Sequence, residues 1–269
     1  MNFREARTGD EAGLALLARL GDDLGQFSSE LLRPGVKARV ATVDKQVVGA
    51  ATAWNSAWHP AWDWAHVAVS PGHRRQGVGS ALLQELQTVG PVKTKVRSGS
   101  PSASFVAAAG WHIVQTSATY RLTESSAVRV DAELTGHPRD CVASAFLTFY
   151  ARAHLWDPIG SQITVDDMLA ATVRGATSTL LVGDPRHPDA VACLWEADEG
   201  WEFSGGPCHD GAQDAVGVLL DNAQALSGDK LLVEADSDMT EVLAELDLRG
   251  GEPTDVVHIV SSTPRLTAP

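Results

Sequence analysis

The sequence predicts an α+β protein of two domains laid out on one plan, each a mostly antiparallel mixed sheet flanked by helices. Three observations carry that prediction. The chain has 269 residues, which domains of roughly 100–200 residues divide in two. Its halves present the same order of strand-like and helix-like segments at about the same spacing. Finally, Val78-Gly79-Ser80-Ala81-Leu82-Leu83 recurs in outline as Val216-Gly217-Val218-Leu219-Leu220-Asp221, 138 positions later. The boundary is expected near residues 123–127, giving domains 1–124 and 125–269.

In the first half, Phe3–Ala6 reads as a short strand. Thr8 or Asp10 can cap a helix over Glu11–Leu20, whose apolar face is Leu14, Leu16, Leu17 and Leu20. Leu31 and Leu32 suggest a short second helix in an irregular stretch. Strands follow over Ala38–Val43 and Val47–Trp54, joined by a turn at Asp44-Lys45-Gln46. A further strand is expected at Ala65–Val69, a helix at Val78–Gln87 and a strand at Val92–Val96. A short helix, Ser102–Ala108, leads to a closing hairpin of Trp111–Val114 and Thr116–Leu122.

The second half repeats this order. It has a strand at Val128–Glu133, helices near Arg139–Ala153 and Val165–Val173, and a hairpin of Thr179–Val182 and Ala190–Glu196 around Asp184–Pro188. A strand at Trp201–Ser204, a helix at Asp214–Leu226 and a strand at Lys230–Ala235 follow. Thr240–Leu246 is helical and Asp255–Ser261 is a last strand.

Composition narrows the function classes. Hydrophobic residues make up 44% and charged residues 20%, so real cores can form and disorder is not indicated. The formal charge of −13 is uneven: residues 1–124 carry +3 and residues 125–269 carry −16. So acidic a surface repels nucleic acid and anionic lipid. It is either a solvated face or a field that draws in a cationic substrate. The start of the chain lacks the apolar stretch of a signal peptide, and no apolar run reaches the roughly 20 residues of a membrane helix. Cys141, Cys193 and Cys208 are far apart and odd in number, which argues against a disulfide framework and a zinc site. No metal is expected, and the chain reads as cytoplasmic. A preference for Arg over Lys, 16 to 5, hints at a GC-rich bacterial source.

The chemistry is concentrated in His66-Val67-Ala68-Val69-Ser70-Pro71-Gly72-His73-Arg74-Arg75-Gln76-Gly77-Val78-Gly79-Ser80. This is a buried strand, a turn, a glycine-rich loop and the start of a helix. The glycines let a ligand approach the backbone closely. The unpaired amides and dipole of the helix N-terminus favour an anion, and Arg74 and Arg75 add positive charge. A pyrophosphate fits such a site.

The stretch resembles motif A of the GCN5-related N-acetyltransferase (GNAT) family, Arg/Gln-x-x-Gly-x-Gly/Ala, here Arg74-Arg75-Gln76-Gly77-Val78-Gly79. Gly110-Trp111 is similar to the family's Gly-aromatic pair, and the resemblance covers essentially all of residues 1–124. It implies that acetyl-CoA is the co-substrate and that amides of residues 75–80, Ser80 included, hold its pyrophosphate. Backbone groups of Val67 and Val69 would pair with the pantetheine arm. The amide of Val69 or a neighbour would polarise the thioester carbonyl, and an amine would attack the thioester directly.

Two departures stand out. Alignment on Gly110-Trp111 places Phe105 and Val106 where the family has an aromatic-tyrosine pair, so the tyrosine that protonates the leaving thiolate is absent. Asp63 and His66 are the candidates for general base, each with a packing or turn role as its plain alternative. The loop Trp54–Trp64 holds Trp54, Trp58 and Trp62, which with Asp63 would wall an acceptor site for a cationic amine or pack between domains.

The corresponding loop of the second half, Gly205–Asp214, carries Pro207, Asp210 and Asp214 in place of arginines. It reads as a degenerate copy, in a tandem architecture similar to that of mycothiol synthase. Cys208, His209 and Asp210 are adjacent in sequence and do not converge on one atom. The resemblance implies an N-acetyltransferase for a small amine such as an antibiotic or specialised metabolite, with a cationic acceptor suggested by the acidic second half, and a non-catalytic acyl-CoA sensor as the alternative. Monomer and homodimer both remain open.

Overall fold

A computed structural model describes residues 1–19, 35–88, 90–122, 131, 134–227 and 230–263. The short helix expected around Leu31–Leu32 and, apart from Asp131, the strand expected at Val128–Glu133 lie outside the described residues. The chain divides into two compact units, residues 1–114 with 257–269, and residues 115–256.

The first unit begins with β1 (Asn2–Glu5), α1 (Glu11–Ala18), β2 (Lys37–Val43), β3 (Gln46–Trp54) and β4 (Asp63–Val69). It continues with α2 (Val78–Gln87), β5 (Val92–Arg97) and α3 (Pro101–Ala108). The turn between β2 and β3 is made by Asp44 and Lys45, at φ 49° and 69°, the left-handed pair that matches strand twist in a tight hairpin. Strand order is β1-β2-β3-β4-β5, with antiparallel pairs up to β4 and a parallel β4–β5 pair. Alternation puts the two sheet faces against different helices. Val40, Ala50 and Ala68 pack with Leu14 and Leu17 of α1. Ala51, Ala53 and Ala65 pack with Val78, Leu82, Leu83 and Leu86 of α2.

The strand on the far side of β5 is β11 (Glu252–Ser261), the last of the chain, paired antiparallel over Val257–Ser261 with Lys93–Arg97. Trp62, only 1% exposed, donates its indole N–H to Thr263 at 3.0 Å, and Ser262 exchanges hydrogen bonds with the Val92 backbone.

The second unit contains most of β6 (His112–Leu122), then α4 (Arg139–Ala153), α5 (Val165–Ala171), β7 (Ser178–Asp184) and β8 (His187–Ala197). It ends with β9 (Gly200–Pro207), α6 (Gln213–Ser227), β10 (Leu231–Asp236), α7 (Thr240–Leu248) and the start of β11. Its strand order is β7-β8-β9-β10-β6, again antiparallel except for β9–β10. The units therefore share one plan, with a difference at the last position. Beside β5 stands the end of β11, and beside β10 stands β6.

Two expectations change here. The hairpin expected over residues 111–122 is one continuous strand, His112–Leu122, whose second half is paired over Ser117–Leu122 with β10. Gln115 stays extended and buried, at 2% exposure. The division expected at residues 123–127 falls at 114/115, inside β6, with residues 257–269 joined to the first unit.

Candidate functional site

β4 is paired with β3 along its length, and the Ser70 amide donates to the Val48 carbonyl at 2.8 Å. In an antiparallel ladder hydrogen-bonded pairs alternate, so Ser70, Ala68 and His66 turn their backbone groups toward β3. Ala65, Val67 and Val69 turn theirs the other way, toward β5. There, pairing consists of Asp63↔Val92 and Trp64↔Lys93 and goes no further among the described residues. From Ala65 onward the two strands part, leaving a gap lined by backbone groups of Ala65, Val67 and Val69.

The loop at the wide end of this gap is built from local constraints. Pro71–His73 forms a 3-10 turn braced by a hydrogen bond of 2.9 Å between Ser70 Oγ and His73 Nδ1. Arg74 folds back and donates Nε–H to the Val69 carbonyl at 3.0 Å, and Gln76 donates its amide to the Gly72 carbonyl at 3.0 Å. Arg75 adopts φ 61°, a left-handed conformation that costs a non-glycine residue roughly 1–2 kcal/mol and is concentrated at functional sites. Gly77 is the N-cap of α2 at φ 81°, where a side chain would be strained. The first amides of α2, at Val78, Gly79 and Ser80, lack partners within the helix by geometry.

The expected cofactor residues Val67, Val69, Arg74, Arg75, Gln76, Gly77, Val78, Gly79 and Ser80 thus lie together along one strand edge and one loop. Gly79 also has a packing role. A side chain there would meet Phe105 Cζ at 3.3 Å and Val69 Cγ2 at 3.6 Å. Its small size therefore makes room for the Phe105 ring of α3. Phe105 thus stands at the N-terminal turn of α2, and Val106 behind it is buried in the core. Neither carries an ionisable group.

The expected catalytic and acceptor residues are more scattered. Asp63 begins β4, six residues from Val69, which at roughly 3.3 Å per residue is about 20 Å along the strand. Its carboxylate accepts from Lys37 Nζ at 3.0 Å and from Asn55 Nδ2 at 3.2 Å. Asp63 and the Val69 amide are thus too far apart to act on the same carbonyl. His66 lies on the opposite sheet face from Val67 and Val69, edge-on to Trp54 at 4.8 Å between ring centroids. Trp54 faces the same side. Trp58 is half-buried. Trp62, expected on an acceptor wall, is buried and serves instead to anchor Thr263.

A residue that drew no functional reading from the sequence is Lys93. It sits in the last β4–β5 pair, is 1% exposed, and holds Nζ 4.4 Å from the centre of the Trp64 ring. The available signal was a lysine inside an otherwise apolar strand.

In the second unit β9 and β10 pair over Trp201–Phe203 and Leu231–Val233, and the loop after β9 is lined differently. Gly205–Pro207 remain in β9, and a side chain at Gly206 would lie 2.7 Å from the Phe149 ring. The Cys208 amide donates to the Asp189 carbonyl at 2.8 Å, and His209 pairs with Asp189 at 2.9 Å. Arg152 is bound to Asp210 at 2.5 Å and Glu241 at 3.3 Å, so its charge beside this loop is neutralised by two carboxylates. Among the described residues no group of three His, Cys, Asp or Glu side chains is placed to hold a metal ion. No helix among them is long and apolar enough to cross a membrane.

Comparison with known proteins agrees with this geometry. The family model "Acetyltransferase (GNAT) domain" matches residues 35–113, the segment that holds the gap, the loop and α3. The chain carries a GNAT domain. GNAT domains mark acyltransferases, and GNAT acetyltransferases act on amine acceptors of small molecules or proteins. Among solved structures, a GCN5-related N-acetyltransferase from Sphaerobacter thermophilus is 16% identical with a TM-score of 0.60, over 99% of this chain and 97% of that one. Eis1 from Mycobacterium abscessus is 18% identical with a TM-score of 0.55, over 97% and 73%. A probable N-acyltransferase from Enterococcus faecalis is 12% identical with a TM-score of 0.62, over 97% and 71%. At such identities the likeness shows the fold, and it extends through both units. No curated protein matches the chain.

Proposed function

We propose that the chain is an N-acetyltransferase that moves an acetyl group from acetyl-CoA to the amine of a small, cationic molecule. The observation that carries this reading is the parting of β4 and β5 after Trp64↔Lys93, beside the amide-rich loop at Arg74–Ser80. An acyl-CoA bound there sets its pyrophosphate on the amides of Gly77–Ser80 and beside Arg75. Its pantetheine arm runs down the edge of β4, pairing with Val67 and Val69 like an added strand.

The arm ends where the gap closes. The thioester therefore reaches the neighbourhood of Ala65, and its amide, more than that of Val69, is placed to receive charge on the carbonyl oxygen. Attack by the amine forms the C–N bond and expels the thiolate. The enzyme's contribution is to align donor and acceptor and to help remove a proton from the attacking nitrogen. His66, on the sheet face away from α2, is the nearer candidate base. Asp63 is held by Lys37 and serves the acceptor side through charge. Trp54 and Trp58 are the candidate aromatic contacts for the acceptor.

In this reading the second unit binds no coenzyme A, because its loop is occupied by side chains and lined with carboxylates. Its formal charge favours a cationic acceptor in the surrounding solution. The protein is proposed to work in the cytoplasm, as a monomer or homodimer. A second reading, an acyl-CoA-binding sensor without turnover, is favoured by one observation: Phe105 and Val106 supply no proton to a leaving thiolate.

Thiol release from acetyl-CoA, measured across a panel of cationic amines, separates the two. Amine-dependent release of coenzyme A that is lost in His66→Gln supports transfer. Tight acetyl-CoA binding with no release by any amine supports the sensor.

A further inference from the structure

The loop after β9 carries the Cys208-His209-Asp210 run, which the proposed reaction leaves unused. It holds the place in the second unit that the Arg74–Ser80 loop holds in the first, between a parallel-paired strand and the next helix. Two anchors tie it down. Asp210 is gripped by Arg152 of α4, whose guanidinium is shared with Glu241 of α7. Arg152 holds the Asp210 carboxyl below the usual carboxylate range, so this anchor does not titrate near neutrality. The other anchor is His209. Its Nε2 lies 2.9 Å from the Asp189 carboxylate of β8, and its Nδ1 lies 2.9 Å from the Asp210 carbonyl oxygen.

Both of these partners only accept. A neutral imidazole has one N–H and must set a lone pair against one of the two oxygens, whereas an imidazolium donates to both. The carboxylate is held in place for this by packing, since a side chain on Gly183 would meet Asp189 Oδ2 at 2.6 Å. The Asp210 carbonyl and then Asp189 raise the proton affinity of His209 above its ordinary value, against a smaller opposing effect of Arg152. Beneath the ring, the Cys208 amide donates to the Asp189 carbonyl at 2.8 Å, and the thiol turns inward to within 3.7 Å of the Ala145 carbonyl oxygen. Burial pushes that thiol up to about 12, so it stays neutral.

We propose that His209 is a proton-operated latch: as an imidazolium it clips the loop to β8 over the Cys208 thiol, and on losing its proton it lets the loop open and the thiol meet solvent. The inference is independent of the acyl-CoA reading. A histidine whose proton affinity rises on closing stabilises the closed loop fully below its ordinary pKa of about 6.5. That contribution is lost as pH rises through the higher folded value. The loop is therefore closed in mild acid and looser in mild alkali. His209 and Asp189 are 54% and 47% exposed, so the change in the opening equilibrium is modest, about three- to fivefold.

The test is the rate of iodoacetamide labelling at each cysteine of the full chain from about pH 6 to about pH 9, read by mass spectrometry. Each rate is divided by that of a free peptide of residues 205–213, which removes the titration of an ordinary thiol. In the wild-type protein the normalised Cys208 rate is expected to rise about three- to fivefold across this range, while that of Cys193, buried in β8, stays level. His209→Gln is expected to give the high rate at every pH. His209→Arg, permanently charged and with donors for both oxygens, is expected to give the low rate throughout. A level wild-type profile, including no labelling of Cys208 at any pH, would overturn the proposal. So would the same rise in His209→Gln or His209→Arg, or a parallel rise at Cys193, which would mean that the whole unit opens.

Discussion

Asp10 shows how much one carboxylate can organise. It accepts from Arg4 at 2.7 and 2.8 Å and from the Arg7 amide at 2.9 Å, and stands at the start of α1 without capping it through its side chain. The hydrogen bonds and charge of Arg4 hold its carboxyl below the usual carboxylate range. A carboxyl lowered on folding stabilises the native state above its unfolded pKa and loses that contribution as pH falls through its folded pKa. Asp10→Asn is therefore expected to destabilise by about 1–3 kcal/mol at pH 7 in urea unfolding, with the difference shrinking below about pH 4. A difference that persists in acid would contradict the assignment. The cysteines are equally specific. Burial pushes the Cys193 and Cys208 thiols up to about 12, so at neutral pH alkylation followed by mass spectrometry should label Cys141 and spare these two. Labelling of all three at one rate would refute their burial.

At the scale of elements, the sequence was most readable where periodicity and end signals agreed. The bounds of α2 and α4 came directly from their apolar spacing: Val142, Phe146 and Phe149 recur on one face of α4. It was least readable where a decision is non-local. Nothing in Val114-Gln115-Thr116 says whether the chain turns or runs on, and the answer depends on β10 pairing with β6. Within the site, the loop from Arg74 to Ser80 was legible because its residue types dictate its backbone. The buried state of Trp62 was not, since its partner Thr263 is 201 positions away. The glycines divide the same way. Gly77 announces a turn, whereas Gly206 is glycine because Phe149 of α4 occupies its side-chain space. Gly206→Ala is expected to destabilise by roughly 1–3 kcal/mol through overpacking, read as a lower urea midpoint. An unchanged midpoint would mean that the β9 region is looser than described.

On the scale of the molecule, the repeat in sequence became two units on one plan, but the last strands do not stay with the halves that encode them. Val257–Ser261 completes the sheet of the first unit beside β5, and Gln115–Leu122 completes that of the second beside β10. Residues 1–124 by themselves would leave β5 with an open edge, a liability for any sheet, and Trp62 without the hydroxyl that receives its N–H. A chain ending at Val256 is therefore expected to lose acetyl-CoA binding although the whole Arg74–Ser80 loop is intact. Retained binding would show that the strand is dispensable. This arrangement also gives a physical reason for a second unit proposed to bind no cofactor to persist: the chain that returns from it supplies part of the first.

The central claim is that one acyl-CoA binds per chain, in the β4–β5 gap of the first unit. Calorimetric titration with acetyl-CoA, comparing the wild-type protein with Ser80→Asp, tests it most directly. Ser80 is exposed on the first turn of α2, so the substitution adds negative charge at the proposed phosphate site without disturbing the core. The account predicts one site per chain in the wild type and at least tenfold weaker binding in the variant, a loss of about 1.4 kcal/mol or more. Two sites per chain, or one site indifferent to the new charge, would contradict it.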